Sequence, residues 1–173
     1  TVVGSDNWHD IENQTVNYFR QTSIEKTIPV RNVRSVGNNY TVFATETFID
    51  EVSQEIGVDP MAFRLNYLNG VGINAGSNTP ASYGGGKRLA NVLKIASGLA
   101  NYGLENLGEY EGLGIAITGA ENRWAPCFLA LVAKVQVDKN SASIDVQKLT
   151  CVLDVGIAIN PDGIRAQVEG SLL

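Results

Sequence analysis

Two short segments near the end of the chain carry residue types suited to holding a polar ligand. Residues 154–161 read Asp-Val-Gly-Ile-Ala-Ile-Asn-Pro, and residues 167–170 read Gln-Val-Glu-Gly. Glycines let a backbone approach a ligand closely, and the amide of Gln167 offers donors and an acceptor together, which suits a polar heterocycle. Because binding sites are usually built on such loops, the segments indicate a binding site. An ordinary strand–turn–helix connection is the alternative interpretation.

A second set of segments lies in the first half of the chain. Residues 33–37 read Val-Arg-Ser-Val-Gly, residues 45–51 read Thr-Glu-Thr-Phe-Ile-Asp-Glu, and residues 59–64 read Asp-Pro-Met-Ala-Phe-Arg. The guanidinium of Arg34 could stabilise an anionic group or hold its loop through bidentate hydrogen bonds. A surface Arg at the start of a helix is the alternative.

Taken in this order, the segments resemble the molybdenum-binding large subunit of the xanthine dehydrogenase/aldehyde oxidase superfamily. The likeness is greatest to the branch formed by the beta subunits of isoquinoline 1-oxidoreductase, and it extends from about Ile11 to Leu173. The resemblance implies a molybdenum–pyranopterin cofactor (molybdopterin), with the cytosine dinucleotide form as one option. It also implies oxidation of aldehydes or N-heterocycles with oxygen derived from water. The dithiolene of the cofactor, and no protein side chain, is expected to bind the metal.

The resemblance assigns cofactor-binding roles to five residues. Arg34 matches the Arg that begins the loop beside the molybdenum, and the match continues through Ser35 to Gly37. Gln167 matches a Gln that hydrogen-bonds the pterin or its dithiolene end, so the resemblance implies that the loops of Arg34 and Gln167 approach one cavity. Gly37 and Gly170 match positions where the backbone crowds the cofactor or a neighbouring helix. No catalytic residue is expected in this chain, because the Gly-x-Gly-Glu segment with the family's base lies beyond the Gln-x-Glu-Gly motif.

The chain departs from the family pattern in ways that bear on function. Val33 stands where this branch usually has Trp, residues 38–40 replace variable polar residues that often include Gln, and Glu169 is expected to be structural. The early Gly-Gln-Gly loops and the cluster-binding cysteines of the family are missing. We therefore expect this part of the oxidoreductase to be inactive alone, and to need the rest of the molybdenum subunit and a small [2Fe-2S] subunit. A non-catalytic binding or assembly module without the cofactor is the second hypothesis.

Composition disfavours several other functions. With 44% hydrophobic and 18% charged residues among 173, the chain is expected to be globular. Its net charge of −5 and the lack of a basic stripe disfavour nucleic acid as a partner. Apolar runs such as residues 128–133 are too short to span a bilayer, so no transmembrane segment is predicted. Periplasm and cytoplasm both stay open as locations.

The cysteines and the histidine indicate no catalytic or metal site. Cys127 and Cys151 lack Cys-x-x-Cys spacing, which argues against zinc or iron–sulfur ligation. We expect buried free thiols, while the sequence leaves a disulfide between them open. His9, the sole histidine, is expected at the surface. Because nothing around it resembles a nucleophile elbow, a hydrolase is the weakest hypothesis.

Periodicity and capping signals predict the helices that must position these residues. Apolar spacing predicts helices over 40–56, 60–68 and 87–102. One stripe of the third helix is predicted to be apolar, formed by Leu89, Val92, Leu93, Ala96 and Leu99. Gly57 is expected to end the first helix, and Asp59 is expected to cap the second. The apolar faces of the 40–56 helix and of the 128–153 hairpin are expected to need a partner.

Beyond about residue 112 the apolar period changes to two. It predicts mainly antiparallel strands over 112–155 with a hairpin turn at 138–140. Alternation over residues 134–138 and 144–149 predicts one wet and one buried face there. A short strand is also predicted at 15–19 and an extended stretch at 27–33. The fold class is therefore α+β.

A glycine-rich stretch divides the chain. Residues 71–86 are predicted to be a linker. By the resemblance, residues 1–70 are the end of a first molybdenum-binding half and residues 87–173 the start of a second. The Gly-Gly-Gly-Lys run at 84–87 lacks the spacing of a phosphate-binding loop, so it is expected to lead flexibly into the third helix.

Overall fold

The computed structural model describes residues 7–19, 23, 27, 34–70, 84–122 and 125–172. Its helices and strands, in chain order, are α1 (Asn38–Glu55), α2 (Pro60–Asn66), α3 (Gly85–Leu99), β1 (Glu111–Asn122), β2 (Ala125–Asp138), β3 (Ser143–Asp154) and α4 (Pro161–Leu172). The strands form an antiparallel sheet in the order β1-β2-β3. The predicted α+β class is confirmed. Residues 71–83 of the predicted linker lie outside the described residues.

The ends of α1 and α2 follow from the residues predicted to cap them. Gly57 follows α1 with a φ of 69°, and its N–H donates to the Gln54 carbonyl at 3.1 Å. This left-handed backbone is one that glycine adopts without steric cost. Asp59 precedes α2, and its carboxylate accepts from the Ala62 N–H at 2.8 Å. The predicted break between the two helices is confirmed.

Helix α3 covers one face of the sheet and forms the core with it. The buried side chains of this layer are Leu89, Val92, Leu93 and Ala96 of α3 together with Ile115, Ile117, Phe128, Ala130 and Val132 of β1 and β2. Leu99, which was predicted on the same stripe, is exposed because Ala100 continues the stripe at the helical period. The apolar stripe of α3 otherwise matches the predicted one.

The N-terminal segment closes one end of this core. The Trp8 indole donates from Nε1 to the Gly119 carbonyl at 2.9 Å and meets the Phe128 ring edge-on at 5.1 Å. A Cβ on residue 119 would come within 2.7 Å of the Trp8 ring, so only glycine permits this approach. Residues 15–19 form no strand, so that prediction was wrong: β-propensity makes no strand without an edge to pair with. Apart from Thr27, the stretch 27–33 lies outside the described residues.

The long β2–β3 hairpin extends beyond the helix that covers it. Its turn lies at residues 139–142, and the register shifts between Lys134 and Val135. Beyond the shift both faces are exposed, with Ile144 at 68% and Val146 at 55%. The prediction of one buried face was therefore wrong for this half of the hairpin, because α3 packs only on the other half.

Candidate binding site

An open cavity of about 1060 Å³ lies between α4 and the face of the sheet that α3 leaves uncovered. Its apolar wall includes Cys127, Leu129, Leu153, Val155, Ile164 and Val168. Polar groups at its margin are Arg34, Ser35, Asn38, Asn160 and Gln167. A largely apolar cavity with a few convergent polar groups is the usual form of a small-molecule site.

Arg34 and Gln167 meet directly at this cavity. The Arg34 Nη2 donates to Gln167 Oε1 at 2.6 Å and to the Gln167 carbonyl at 3.2 Å, across 133 positions of sequence. Both side chains are exposed, and the Nε and Nη1 of Arg34 donate to no group in the described part of the chain. The geometry agrees with the prediction that the two loops approach one cavity. A role of either residue in cofactor binding stays a prediction.

The loop that carries Arg34 has an unusual backbone. Ser35 and Val36 have φ angles of 71° and 47°, in the left-handed region that non-glycine residues rarely adopt. Asn39 Nδ2 donates to the Arg34 carbonyl at 2.7 Å, and the Asn38 N–H donates to the Ser35 carbonyl at 2.9 Å. Such strain persists only where the surroundings hold it and is concentrated at functional sites.

The two glycines assigned by resemblance have different surroundings. Gly37 is buried at the start of α1, where its carbonyl accepts from the Thr41 N–H at 3.2 Å and from the Thr41 hydroxyl at 2.8 Å. Gly170 lies on α4, and a Cβ there would meet no described atom within 4 Å. Glu169 is exposed beside it. Crowding against a cofactor stays a prediction for both glycines.

Asp154 anchors the loop that leads from β3 to α4. Its carboxylate accepts from Arg88 Nε at 2.8 Å and from Arg88 Nη2 at 2.6 Å, and it also accepts from the Gly156 N–H at 2.9 Å. The Arg88 hydrogen bonds hold the pKa of Asp154 below its ordinary value. The Arg88 guanidinium also lies 4.6 Å from the centre of the Phe128 ring, so the loop is attached to the core.

Asn160 fixes the start of α4. Its Oδ1 accepts from the Gly163 N–H at 3.0 Å, and Pro161 occupies the first helical position. The segment Asp-x-Gly-x-x-x-Asn-Pro therefore contains an anchor and a helix cap. Together they direct α4 so that Gln167 lies over the cavity.

Sequence reasoning missed a buried ion cluster beside the site. Arg64, which has no exposed surface, donates to Glu46 Oε2 at 2.9 Å and to Asp50 Oδ1 at 2.7 Å. Glu46 Oε2 also accepts from the Ile117 N–H at 2.9 Å. Burial raises the pKa of Glu46, against the opposing effect of Arg64. The spacing of Glu46 and Asp50, which places both on one face of α1, was the available signal.

His9 is buried, so its predicted surface position was wrong. It is 3% exposed because the segment that carries it packs inward with Trp8. Burial, and next the charge of Arg64, lower the pKa of His9 to about 4. No local pattern signals this burial, because it depends on the neighbouring Trp8, whose contacts lie more than a hundred positions away.

Both cysteines are free thiols, as predicted, but they are half-buried where full burial was expected, and this burial raises the pKa of each. The strand register pairs Cys151 with Leu131, four positions along β2 from Cys127. That offset corresponds to roughly 13 Å, well beyond the reach of a disulfide.

Within the described ranges, no three His, Cys, Asp or Glu residues are grouped so that they could hold a metal ion. The described helices also include none with the length and apolar character needed to cross a membrane.

Comparison with known proteins identifies the family. Residues 70–173 match the model of the family described as molybdopterin cofactor-binding domain. The chain therefore belongs to this family, in agreement with the resemblance seen in its sequence.

Three relatives extend this result. A membrane-bound aldehyde dehydrogenase (pyrroloquinoline-quinone) of Gluconacetobacter polyoxogenes is 36% identical over 99% of this chain and 22% of its own length. The beta subunit of isoquinoline 1-oxidoreductase from Brevundimonas diminuta is 25% identical over 86% of this chain and 17% of its own length. A nicotinate dehydrogenase subunit of Pseudomonas putida is 26% identical over 95% of this chain and 13% of its own length. The chain thus spans between 13% and 22% of these relatives.

The cavity fits the group that the family name implies. A pterin cofactor combines polar heterocycles with an anionic tail. The guanidinium of Arg34 and the amides of Asn38, Asn160 and Gln167 offer donors to both. The space of about 1060 Å³ accommodates a ligand larger than a typical drug.

Proposed function

We propose that this chain forms part of the cofactor site of a molybdopterin-dependent oxidoreductase that hydroxylates aldehydes or N-heterocycles with oxygen from water. The observation that carries the proposal is the contact between Arg34 and Gln167, which joins two distant segments at one cavity. The family match supports the cofactor class. The names of the relatives, which mention an aldehyde, isoquinoline and nicotinate, support the substrate classes.

When bound, the molybdenum cofactor would supply the redox chemistry of the reaction. Arg34 would donate from Nε and Nη1 to anionic oxygens of the ligand while its Nη2 stays on Gln167. Because Gln167 Oε1 accepts from Arg34, the Gln167 amide nitrogen is left to donate to a heterocycle acceptor. The apolar wall that includes Leu129 and Leu153 would exclude water from one side of the bound group.

We also propose that further parts of the molybdenum subunit cover this cavity and supply the catalytic base. The exposed aromatic side chains of Tyr40, Phe43 and Phe48 support packing of further parts of the subunit against α1. A [2Fe-2S] subunit would accept the electrons, and the naming of two relatives as subunits supports a multi-subunit enzyme. The same proposal includes the cytosine dinucleotide form as one option for the cofactor. It also includes residues 71–86 as the linker between two molybdenum-binding halves.

The test measures molybdenum, pterin and turnover in the full-length protein. Arg34→Ala is expected to lower molybdenum content or turnover without unfolding the chain, because an exposed loop side chain contributes little to the core. Gln167→Ala is expected to weaken cofactor binding by about 1–3 kcal/mol, the usual cost of an unsatisfied polar partner. Arg165→Ala is the matched control, since Arg165 is an exposed cation on α4, the helix that carries Gln167.

Other outcomes would decide against the proposal. Release of a quinone in place of a pterin from the wild-type protein would favour the cofactor named for the aldehyde dehydrogenase relative. Wild-type protein that binds neither group would favour the non-catalytic module. A double variant, Arg34→Ala with Gln167→Ala, that keeps full molybdenum content and turnover would remove both residues from the site.

A further inference from the structure

A second, much smaller cavity lies beneath the first turns of α1. Its volume is about 20 Å³, enough for one water molecule. Polar residues that line it include Asn7, His9, Asn38, Thr41, Thr45 and Glu46. Its other wall comes from Ile117 to Gly119 of β1. Small polar cavities of this size are where proteins hold buried water.

Hydrogen bonds fix the tautomer of His9 on this wall. The backbone N–H of His9 donates to Asn7 Oδ1 at 3.1 Å, so this atom of Asn7 is the amide oxygen and an acceptor. His9 Nδ1 lies 2.8 Å from the same oxygen and must carry a proton to donate to it. In a neutral ring the other nitrogen, Nε2, is then an acceptor.

That acceptor has no protein partner. His9 Nε2 is fully buried and makes no hydrogen bond to any group of the described chain. The His9 pKa of about 4 keeps the ring neutral at physiological pH, so Nε2 stays an acceptor that needs a donor. A buried acceptor without a donor costs about 1–3 kcal/mol, and such groups are usually satisfied by ordered water.

The cavity is coupled to the loop that carries Arg34. Asn38, Thr41 and Thr45 line it from successive turns on one face of α1. Thr41 donates twice to the carbonyl of Gly37, where the strained loop ends. Asn38 and Thr118 border both this cavity and the large one, so the water-sized space adjoins the large cavity at the start of α1, where the loop ends.

We infer that the small cavity binds one ordered water that donates to His9 Nε2. Through this water His9 acts as a positioning residue, because it supports the first turns of α1 and hence the loop of Arg34. The inference concerns this cavity alone and does not depend on which cofactor the large cavity holds.

A high-resolution crystal structure of the full chain tests the first part. We expect a water within about 3.2 Å of His9 Nε2. Thr45→Val, which keeps the side-chain shape and so the cavity volume, should retain this water. Thr45→Ile, which adds a carbon where the cavity lies, should displace it. No water at Nε2 in the wild-type protein, or a protein group donating to Nε2 in its place, would overturn the inference.

Hydrogen exchange followed by mass spectrometry tests the positioning role in the same three proteins. Peptides that cover residues 34–45 should exchange about tenfold faster in Thr45→Ile than in Thr45→Val. Peptides that cover residues 138–146, around the β2–β3 turn, should exchange equally in all three proteins and serve as the internal control. Unchanged exchange over 34–45 in a Thr45→Ile protein that has lost the water would show that His9 does not position the loop.

Discussion

Arg64 and Arg34, both in the first half of the chain, have opposite roles. Arg64 has no exposed surface, and Glu46, Asp50 and the Pro60 carbonyl accept from its guanidinium. Arg34 is exposed at a cavity, and among the described residues its guanidinium donates to Gln167 alone, through Nη2. Arg64 therefore joins protein elements to one another, whereas Arg34 can still bind something else.

The difference between Arg64 and Arg34 shows that stabilising interactions and binding groups occupy different parts of the fold. The Arg64 cluster connects α1, α2 and β1, since Glu46 also accepts from the Ile117 N–H. Arg64 and Glu46 are removed from water, so losing one of them leaves the charge of the other buried. The Arg34 contact lies in solvent, where a hydrogen bond is worth little, and its loop is strained at Ser35 and Val36. Substitutions should therefore affect stability at one arginine and ligand binding at the other.

Arg64→Ala should have the largest effect on stability. We expect the free energy of unfolding to fall by about 3–5 kcal/mol, because Glu46 would remain buried without its cation. Urea unfolding measures it as a lower midpoint with an unchanged m-value. The exposed control Arg165→Ala should change stability by no more than about 0.5 kcal/mol. If the two variants were equally stable, the buried cluster would not be structural.

The effect on stability expected at Asp154 is intermediate between those at Arg64 and Arg165, because the ion pair of Asp154 with Arg88 is only partly buried. We expect Asp154→Asn to lower stability at neutral pH by roughly 1–2 kcal/mol, since it weakens charge-assisted hydrogen bonds. The folded pKa of Asp154 is depressed below its ordinary 3.8, so the unfolded chain binds this proton more tightly. The contribution of the ionised Asp154 carboxylate to the free energy of unfolding is therefore present above about pH 3.8 and is lost as the pH falls through the folded pKa.

Urea unfolding of the wild-type protein and Asp154→Asn at a series of pH values checks this prediction. The difference between the two should be greatest near neutral pH and should shrink below about pH 3.8. A difference that stays constant down to about pH 2 would show that the ionised carboxylate of Asp154 contributes nothing to folding.

The comparison also separates what the sequence could predict from what it could not. Gly57, Asp59 and the apolar period of α3 act within a few residues, so they predicted the helices. The Arg64 cluster and the burial of His9 depend on contacts between elements, which periodicity does not reveal. Residues 15–19 had strand propensity but pair with no strand in the part of the chain that the structure describes. The meeting of Arg34 and Gln167 was predicted only through the family resemblance, because no local pattern links positions 133 apart.

Val36→Gly should test the strain in the Arg34 loop. A left-handed β-branched residue costs roughly 1–2 kcal/mol, while the entropy of glycine in the unfolded chain offsets about 0.5–1 kcal/mol of the relief. We therefore expect the free energy of unfolding to rise by up to about 1.5 kcal/mol. Ala44→Gly, at an exposed position of α1, should lower it by about 1 kcal/mol. Thermal unfolding compares the two, and a lower midpoint for both would mean that Val36 is not strained.

The smallest expected effect is the coupling between Arg34 and Gln167 in the protein without bound cofactor. Because both side chains are exposed, a double-mutant cycle on stability with Arg34→Ala and Gln167→Ala should give less than about 1 kcal/mol. The same cycle on cofactor retention should give a larger coupling, since a ligand that both residues contact would bury their hydrogen bond. If instead stability showed the larger coupling, the contact would hold α4 to the Arg34 loop as Arg64 holds α1 to α2. The two arginines would then have the same role, and the open cavity would lose its main claim to be a binding site.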